Sequence, residues 1–355
     1  MRVLLTVSGE VPADLDAQVA AGTRPRPDYV EMARAMGADV LDVAEARRTT
    51  GRIGALVEHV AGRGPLLAWA CFRRRRGYDA IFTDGEQVGL PLAVLARLTL
   101  RRLPAHVMIV HILSVPKKAK LVRLLRLGPL VDRYVVYASA QRRFIVDELG
   151  VPADRVVLTS FMVDTTFWAP DAVPAHSGRM VCSAGLERRD YPTMMQAVRD
   201  LDVRVVLAAA SPWSKRADST AGASVPANVE VCRLGFADLR QLYADASFVV
   251  MPLDDTPFQA GVTTILEAMA MGRAVVCTRT QGQTDVITDG VDGVYVPPAD
   301  APALRAAITA LLDDPARAAH LGQSARARVV ADADVVVDAE RLASVVRDAV
   351  ASRTG

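Results

Sequence analysis

A chain of 355 residues that is 51% hydrophobic, 23% charged and only 5% aromatic has room for two cores, and its composition excludes wholesale disorder. A formal net charge of +2 excludes a polyanion binder as a whole, and no apolar run approaches the ~18 residues that a membrane-spanning helix needs. Cys71, Cys182, Cys232 and Cys277 are far apart and lack C-x-x-C spacing; three of them sit in Val-rich runs and read as small core hydrophobes in a reducing cytosol.

The chain begins Met1-Arg2-Val3-Leu4-Leu5-Thr6-Val7-Ser8, too short for the apolar segment of a signal peptide, and this reads as a first strand. Val- and Ile-rich runs then alternate with segments of helical period. Strands are expected near 2–7, 38–42, 79–83, 107–111, 132–137 and 156–159, and again near 179–183, 204–209, 228–232, 247–251, 274–277 and 293–296. Runs that are apolar on both faces suit parallel sheets covered by helices. The alternation, repeated twice, predicts an α/β protein of two doubly wound domains. The break is expected in 169–178, where Pro170, Pro174 and small residues interrupt all periodicity. That gives a first domain over 1–168, a second over 179–335, and a last helix over 336–355 that packs back toward the first domain.

Ligands of open α/β sheets bind where carboxyl ends of strands lead into helices, so those turns hold the candidates. In the first half they are Gly9 and Glu10, then Asp84 and Glu86, then His111. The acidic residues there suit either an acceptor or simple decoration of a helix N-terminus. Lys117 to Arg126 reads as a basic amphipathic helix, which fits a surface helix and also a peripheral contact with an anionic membrane. In the second half, Gly185 and the pair Arg188-Arg189 follow one strand, Ser211 to Lys215 follow another, and Gly235-Phe236 follow a third. The turn Gly261-Val262-Thr263-Thr264 would aim main-chain N–H groups at a phosphate. A helix from about Thr264 to Gly272 follows, with Glu267 one turn in. Thr264-Ile265-Leu266-Glu267 equally matches a capping box, in which Glu267 only satisfies an N–H of its own helix. No G-x-G-x-x-G follows the first strand and no G-x-x-x-x-G-K-[ST] occurs, which argues against a nicotinamide enzyme and a P-loop NTPase.

Gln259, then Glu267-Ala268-Met269-Ala270-Met271-Gly272, then Asp289-Gly290-Val291-Asp292-Gly293-Val294-Tyr295-Val296-Pro297-Pro298 resemble the donor-site signature of retaining glycosyltransferase family 4. Its pattern is Glu, seven residues, Glu-Ala-Met-Ala-x-Gly, a strand, then D-G-x-x-G-x-x-V-P-P. The resemblance is strong over 179–330, looser over 105–168, and slight before residue 80. It implies a GT-B fold, two Rossmann-like domains facing a central cleft. It also implies metal-independent, retaining transfer of a sugar from a nucleoside diphosphate sugar to the hydroxyl of a small-molecule or lipid acceptor. The nucleotide sugar is then a co-substrate, no further cofactor is implied, and nucleic acid is not a partner. The expected setting is cytoplasmic, including the inner membrane face.

Carried over residue by residue, the resemblance makes Glu267 the ribose ligand and His111 a group near the donor sugar. Gly235 and Phe236 match a loop that holds the base. Two departures stand out. Gln259 occupies the place of the first Glu, keeping an acceptor oxygen without the charge. Leu186 occupies the place of the phosphate-binding Arg, leaving Arg188 or Arg189 as its replacement. A nucleotide-sugar epimerase of the same fold and a catalytically silent nucleotide-binding homologue remain alternative readings.

Overall fold

The computed structural model describes residues 1–176, 178–209 and 225–354, so Ser211 to Lys215 lie outside the described residues. Its strands fall on the apolar runs. In the first half they are β1 (Val3–Thr6), β2 (Ala38–Leu41), β3 (Ala80–Thr83), β4 (Ala105–Val110), β5 (Arg133–Val136) and β6 (Val156–Leu158). In the second half they are β7 (Met180–Ala184), β8 (Arg204–Ala208), β9 (Val229–Cys232), β10 (Phe248–Met251), β11 (Val275–Thr278) and β12 (Val294–Val296). They form two six-stranded sheets of order β2-β1-β3-β4-β5-β6 and β12-β11-β10-β7-β8-β9. Every pairing in both sheets is parallel.

Alternation along each strand explains why the runs are apolar throughout. In β10, Val249 and Met251 enter one core cluster while Phe248 and Val250 enter the other on the opposite face; β11 divides Val275 and Cys277 from Val276 in the same way. Both faces of these central strands are covered, which leaves β10 and the first three residues of β11 wholly apolar. Cys182 and Cys277 are buried in this packing, Cys232 is half-buried at the end of β9, and Cys71 is buried in the helix Arg63–Arg74.

The chain divides into two units, Met1–Asp16, Pro27–Thr159 and Val336–Gly355 in the first, Ala17–Arg26 and Ser160–Val335 in the second. The division therefore falls at 159/160, not within 169–178. The reason is aromatic burial and one ion pair. Trp168 is 1% exposed; its ring meets Phe167 edge-on at 4.9 Å and Tyr243 at 5.6 Å, all within the core of the second unit. Arg26 pairs with the buried Asp164 at 2.7 Å, which ties the short stretch Ala17–Arg26 to the same unit. The last helix, Val335–Thr354, joins the first unit, where Arg353 pairs with Asp132 and Asp338 accepts from Thr159.

Trp168 is among the largest side chains with no solvent contact. Trp168→Ala leaves a cavity that the rigid sheet cannot close, and thermal or urea unfolding of this variant is expected to show a loss of about 3–5 kcal/mol.

Candidate active site

Each sheet reverses its strand order once, between β1 and β3 in the first and between β7 and β10 in the second. Helices leave to opposite faces at such a point and open a crevice at the carboxyl ends of the strands. Most of the candidate residues gather at these two places.

In the second unit, β7 runs into Gly185 at φ +91°, a left-handed conformation that favours glycine. The turn is fastened to the loop after β10 by Asp190 N–H to Pro252 O at 3.1 Å and Asp254 N–H to Arg188 O at 2.9 Å. It carries Arg189 inward. This guanidinium is 6% exposed and donates to Ala184 O at 2.8 Å, to Glu187 O at 2.7 Å and to Thr264 Oγ1 at 3.3 Å. A Cβ on Gly185 would lie 2.5 Å from its Nη2, and one on Gly261 would lie 3.0 Å from its Nη1. Both glycines are therefore small because Arg189 fills the space.

The helix after β10 runs Val262–Ala270, with Gly261 as N-cap in the left-handed region at φ +74°. It starts two residues before the expected Thr264, so Thr264 is the third helical residue and not a cap. Glu267 is then too deep for a capping box. Its carboxylate instead accepts from Tyr243 Oη at 3.1 Å, a hydroxyl supplied by the helix Phe236–Asp245. Burial pushes the Glu267 carboxyl up to about 8, against the opposing pull of the Tyr243 hydrogen bond and of Arg189. Burial likewise pushes the Tyr243 hydroxyl well above its ordinary value, so it serves as a donor.

Arg189 is thus a cation buried at the positive end of a helix dipole, and among the described residues no carboxylate forms an ion pair with it. Burial disfavours its charge. Arg188 differs: it adopts φ +56°, its side chain is 36% exposed, and its guanidinium stands 5.9 Å from the centre of the Phe258 ring. Leu186, where the resemblance expects Arg, is packed against the core. Gln259 is half-buried in the loop before the helix, Thr263 is exposed and Val262 is buried. Gly235 and Phe236 are exposed at the end of β9, which β8 separates from β7; they do not join the group around Arg189.

In the first unit the crevice is polar. Asp84 accepts from Thr6 Oγ1 and Ser8 N–H, both at 2.6 Å, which joins the ends of β1 and β3. His111 Nε2 lies 3.0 Å from the Asp84 carbonyl; that oxygen only accepts, so Nε2 carries a proton. Glu86 is 3% exposed and fully engaged, accepting from His111 N–H at 2.8 Å, Ile112 N–H at 3.1 Å and Lys118 Nζ at 2.7 Å. Burial works against its ionisation, but His111 and Lys118 outweigh it and hold the carboxyl below its ordinary value. Glu86 thus builds the His111 loop and is not a free acceptor ligand. Glu10 is committed to Arg47 at 2.5 Å, while Gly9 lends its carbonyl to Val43 N–H at 3.1 Å.

Four residues carry no distinguishing signal in the sequence. Tyr243 looks like any apolar-face residue of an amphipathic helix. Gln141 holds the His111 carbonyl at 2.5 Å through its Nε2 and accepts from Tyr137 and Ala138 N–H at 3.1 Å through its Oε1. Asp28, at the start of the helix Asp28–Met36, faces Asp84 and His111, and burial followed by Asp84 repulsion pushes its carboxyl up. Gly282 lies directly against the Phe258 main chain. Only fold-level proximity reveals any of them.

Comparison with known proteins gives these residues a context. Residues 188–314 match the family model described as "Glycosyl transferases group 1". A 104-residue segment is 35% identical to glycogen synthase of Mycobacterium tuberculosis, covering 29% of this chain and 24% of that protein. The match thus spans about a quarter of the curated relative. Among solved structures, the Anabaena protein HepE, determined with UDP and glucose, superposes with a TM-score of 0.69 at 16% identity, over 97% of this chain and 99% of its own. Sucrose-phosphate synthase of Thermosynechococcus elongatus does so with a TM-score of 0.72 at 18% identity, over 99% and 100%. The fold is the GT-B fold of these glycosyltransferase structures, and the residues that match the group 1 model lie within the second unit.

A carboxyl whose folded value is raised to about 8 stabilises the fold while it stays protonated. As pH climbs from the ordinary 4.5 toward 8 the unfolded chain ionises first, so this stability is lost over that window and no further above it. Glu267→Gln keeps an acceptor for Tyr243 without the titration. It is expected to match the parent chain near pH 4.5 and to exceed it by a few kcal/mol at pH 8 in urea unfolding. Parallel pH profiles of the two proteins would contradict this assignment.

Proposed function

We propose that this chain is a retaining glycosyltransferase, holding a nucleoside diphosphate sugar in its second unit and an acceptor hydroxyl in its first. UDP-hexoses are the leading donors. The reading rests on one observation: Arg189 is buried at the N-terminus of the helix Val262–Ala270 with no ion-paired carboxylate among the described residues. A cation against the positive end of a helix dipole is unfavourable alone, and a diphosphate beside the two offsets both. The matched group 1 domain over 188–314 supports the same assignment, as does the likeness to HepE, whose structure holds UDP and glucose.

The second unit then supplies three functions. Main-chain N–H groups of Gly261 to Thr264 and the forks of Arg189 and Arg188 hold the diphosphate. Glu267, oriented by Tyr243, accepts from ribose hydroxyls. Gln259 meets the sugar, and Gly235-Phe236 border the base. The bond from the sugar anomeric carbon to the diphosphate oxygen breaks, a bond to the acceptor oxygen forms on the same face, and the departing phosphate oxygen takes the acceptor proton. Fixed cations and amides stabilise the charge that develops on the leaving group, so the scheme requires neither a metal nor a catalytic carboxylate. In the first unit, Asp84 and Asp28 offer acceptors to a polyhydroxylated substrate, with the His111 imidazole beside them.

A thermal-shift screen of UDP-, GDP-, ADP- and dTDP-sugars should show stabilisation by one base class. Arg189→Lys keeps the charge but loses the fork, and its kcat/KM for that donor is expected to fall by about 10²–10³. Donor isomerised without any acceptor would point to an epimerase. Tight binding without turnover over a broad acceptor panel would point to a silent homologue, the alternative that Gln259 and Leu186 motivate.

We also propose that the first unit rests on an anionic membrane, at the inner face of a cytoplasmic membrane. No Asp or Glu occurs from 87 to 131, while Arg97, Arg101, Arg102, Lys117, Lys118, Lys120, Arg123 and Arg126 do. Arg97 Nε donates to Leu125 O at 3.0 Å and so joins two helix ends that carry Leu98, Leu100 and Leu124, exposed by 70%, 87% and 72%. Protruding leucines within a field of cations match an anionic bilayer surface. Among the described residues no helix is long and apolar enough to cross a membrane. The chain is expected to sediment with phosphatidylglycerol vesicles and not with phosphatidylcholine vesicles. Combined Leu98→Ser, Leu100→Ser and Leu124→Ser substitution should abolish sedimentation and leave donor binding intact.

A further inference from the structure

We infer that Gly282 is a positioning residue for the donor sugar: the turn Thr280–Gln283 forms the floor beneath the Phe258–Gln259 peptide and fixes where the Gln259 carboxamide is presented. This rests on the glycosyltransferase reading above and deepens it.

The turn follows β11, and a bridge between Thr280 and Gln283 closes it. A Cβ on Gly282 would lie 2.2 Å from both the carbonyl carbon and the carbonyl oxygen of Phe258, and 2.6 Å from its Cα. These are main-chain atoms with no rotamer to swing away. Gly282 is absent from the positive-φ glycines, so what the position demands is space rather than an unusual conformation. Its N–H donates to Thr256 O at 2.9 Å, Thr256 Oγ1 donates to Phe258 O at 3.0 Å, and Ala260 N–H donates to the same oxygen at 2.9 Å. The neighbouring Gln281 N–H reaches Asp255 Oδ1 at 3.3 Å. Main chain therefore packs on main chain along the loop that carries Gln259. The carbonyl carbon of Phe258 is bonded to the nitrogen of Gln259, so any displacement passes directly to that residue.

A second observation separates this turn from ordinary loop packing. Gln283 is 0% exposed, and among the described residues neither end of its carboxamide has a hydrogen-bond partner, nor has the buried Thr280 hydroxyl. Native folds rarely bury an amide with both ends unmet. A turn shaped by stability alone would carry an apolar side chain at 283. Local departures of this kind concentrate where function sets the residue.

The test is a double-mutant cycle of Gly282→Ala and Gln259→Ala, read by UDP affinity and by kcat and KM with UDP-glucose, UDP-galactose and UDP-N-acetylglucosamine. Gly282→Ala is expected to bind UDP within about two-fold of the parent chain, because Arg189 and Glu267 are held elsewhere. Its kcat/KM should fall at least about ten-fold, with a changed order of preference among the three sugars. In the Gln259→Ala background the same substitution should cost less than about two-fold, since the residue it acts through is gone. Additive losses, or parallel loss of UDP affinity and turnover, would overturn the inference. Should Gly282→Ala fail to fold, Gln283→Met decides. A higher Tm with lower kcat/KM supports the turn's role, and a higher Tm with unchanged kinetics overturns it. A parent chain that binds no UDP sinks the donor assignment and this inference together; a parent that turns over UDP-glucose while Gly282→Ala is unaffected sinks only the latter.

Discussion

A guanidinium buried against the start of a helix is the constraint around which the second unit is arranged. Arg189 spends three donors on Ala184 O, Glu187 O and Thr264 Oγ1, which locks the turn after β7 to the helix after β10. Gly185 and Gly261 have no side chains because that guanidinium occupies the space. Its charge faces the positive end of the Val262–Ala270 dipole, and among the described residues no carboxylate forms an ion pair with it. A fold that keeps such an arrangement gives up stability that an anionic ligand restores. Glu267, one turn deeper, is held protonated by burial at neutral pH and is aligned by Tyr243. The site is thus preorganised for a ligand that brings negative charge to one end and hydroxyl donors to the other.

The first unit solves a different problem. Its polar crevice contains an acid, Glu86, that is fully spent on scaffolding: two main-chain N–H groups and Lys118 fix the loop that presents His111. Gln141 holds the same loop from the other side. The proton on Nε2 follows from this scaffold, because a carbonyl can only accept. Precise placement of one imidazole requires a buried carboxylate, an ammonium and a carboxamide, none of which need touch a substrate. Acidic residues at the carboxyl end of a strand are therefore ambiguous in kind. Asp84 and Glu86 lie two positions apart, and one lines the crevice while the other builds its wall.

Much of this is legible in the sequence. The strands among the described residues fall on the expected runs, and the central ones are almost wholly apolar, since a strand buried on both faces can tolerate few polar residues. The second-unit site is local in the chain: a glycine, a short turn and a carboxylate one helical turn later are close in space because they are close in sequence. What misleads is also local. Thr264 to Glu267 has the spacing of a capping box, but Gly261 in the left-handed region starts the helix earlier and leaves Glu267 facing Tyr243. The Pro-containing stretch 169–178 has the composition of a link between domains, whereas Phe167 and Trp168 before it are already core of the second unit.

By itself, then, the sequence determined the sheets, their parallel connectivity and the short-range parts of the candidate site in the second unit, because hydrophobic period and turn chemistry act over a few residues. Only the tertiary structure decided which arginine points inward, that Glu86 is scaffold, that Tyr243 orients Glu267 from a separate helix, and that Gly282 lies under Phe258. Each of those depends on contacts between segments well separated in the chain, as Tyr243 and Glu267 are by 24 residues. Burial and charge at such contacts are properties of the packed chain, and no local pattern encodes them.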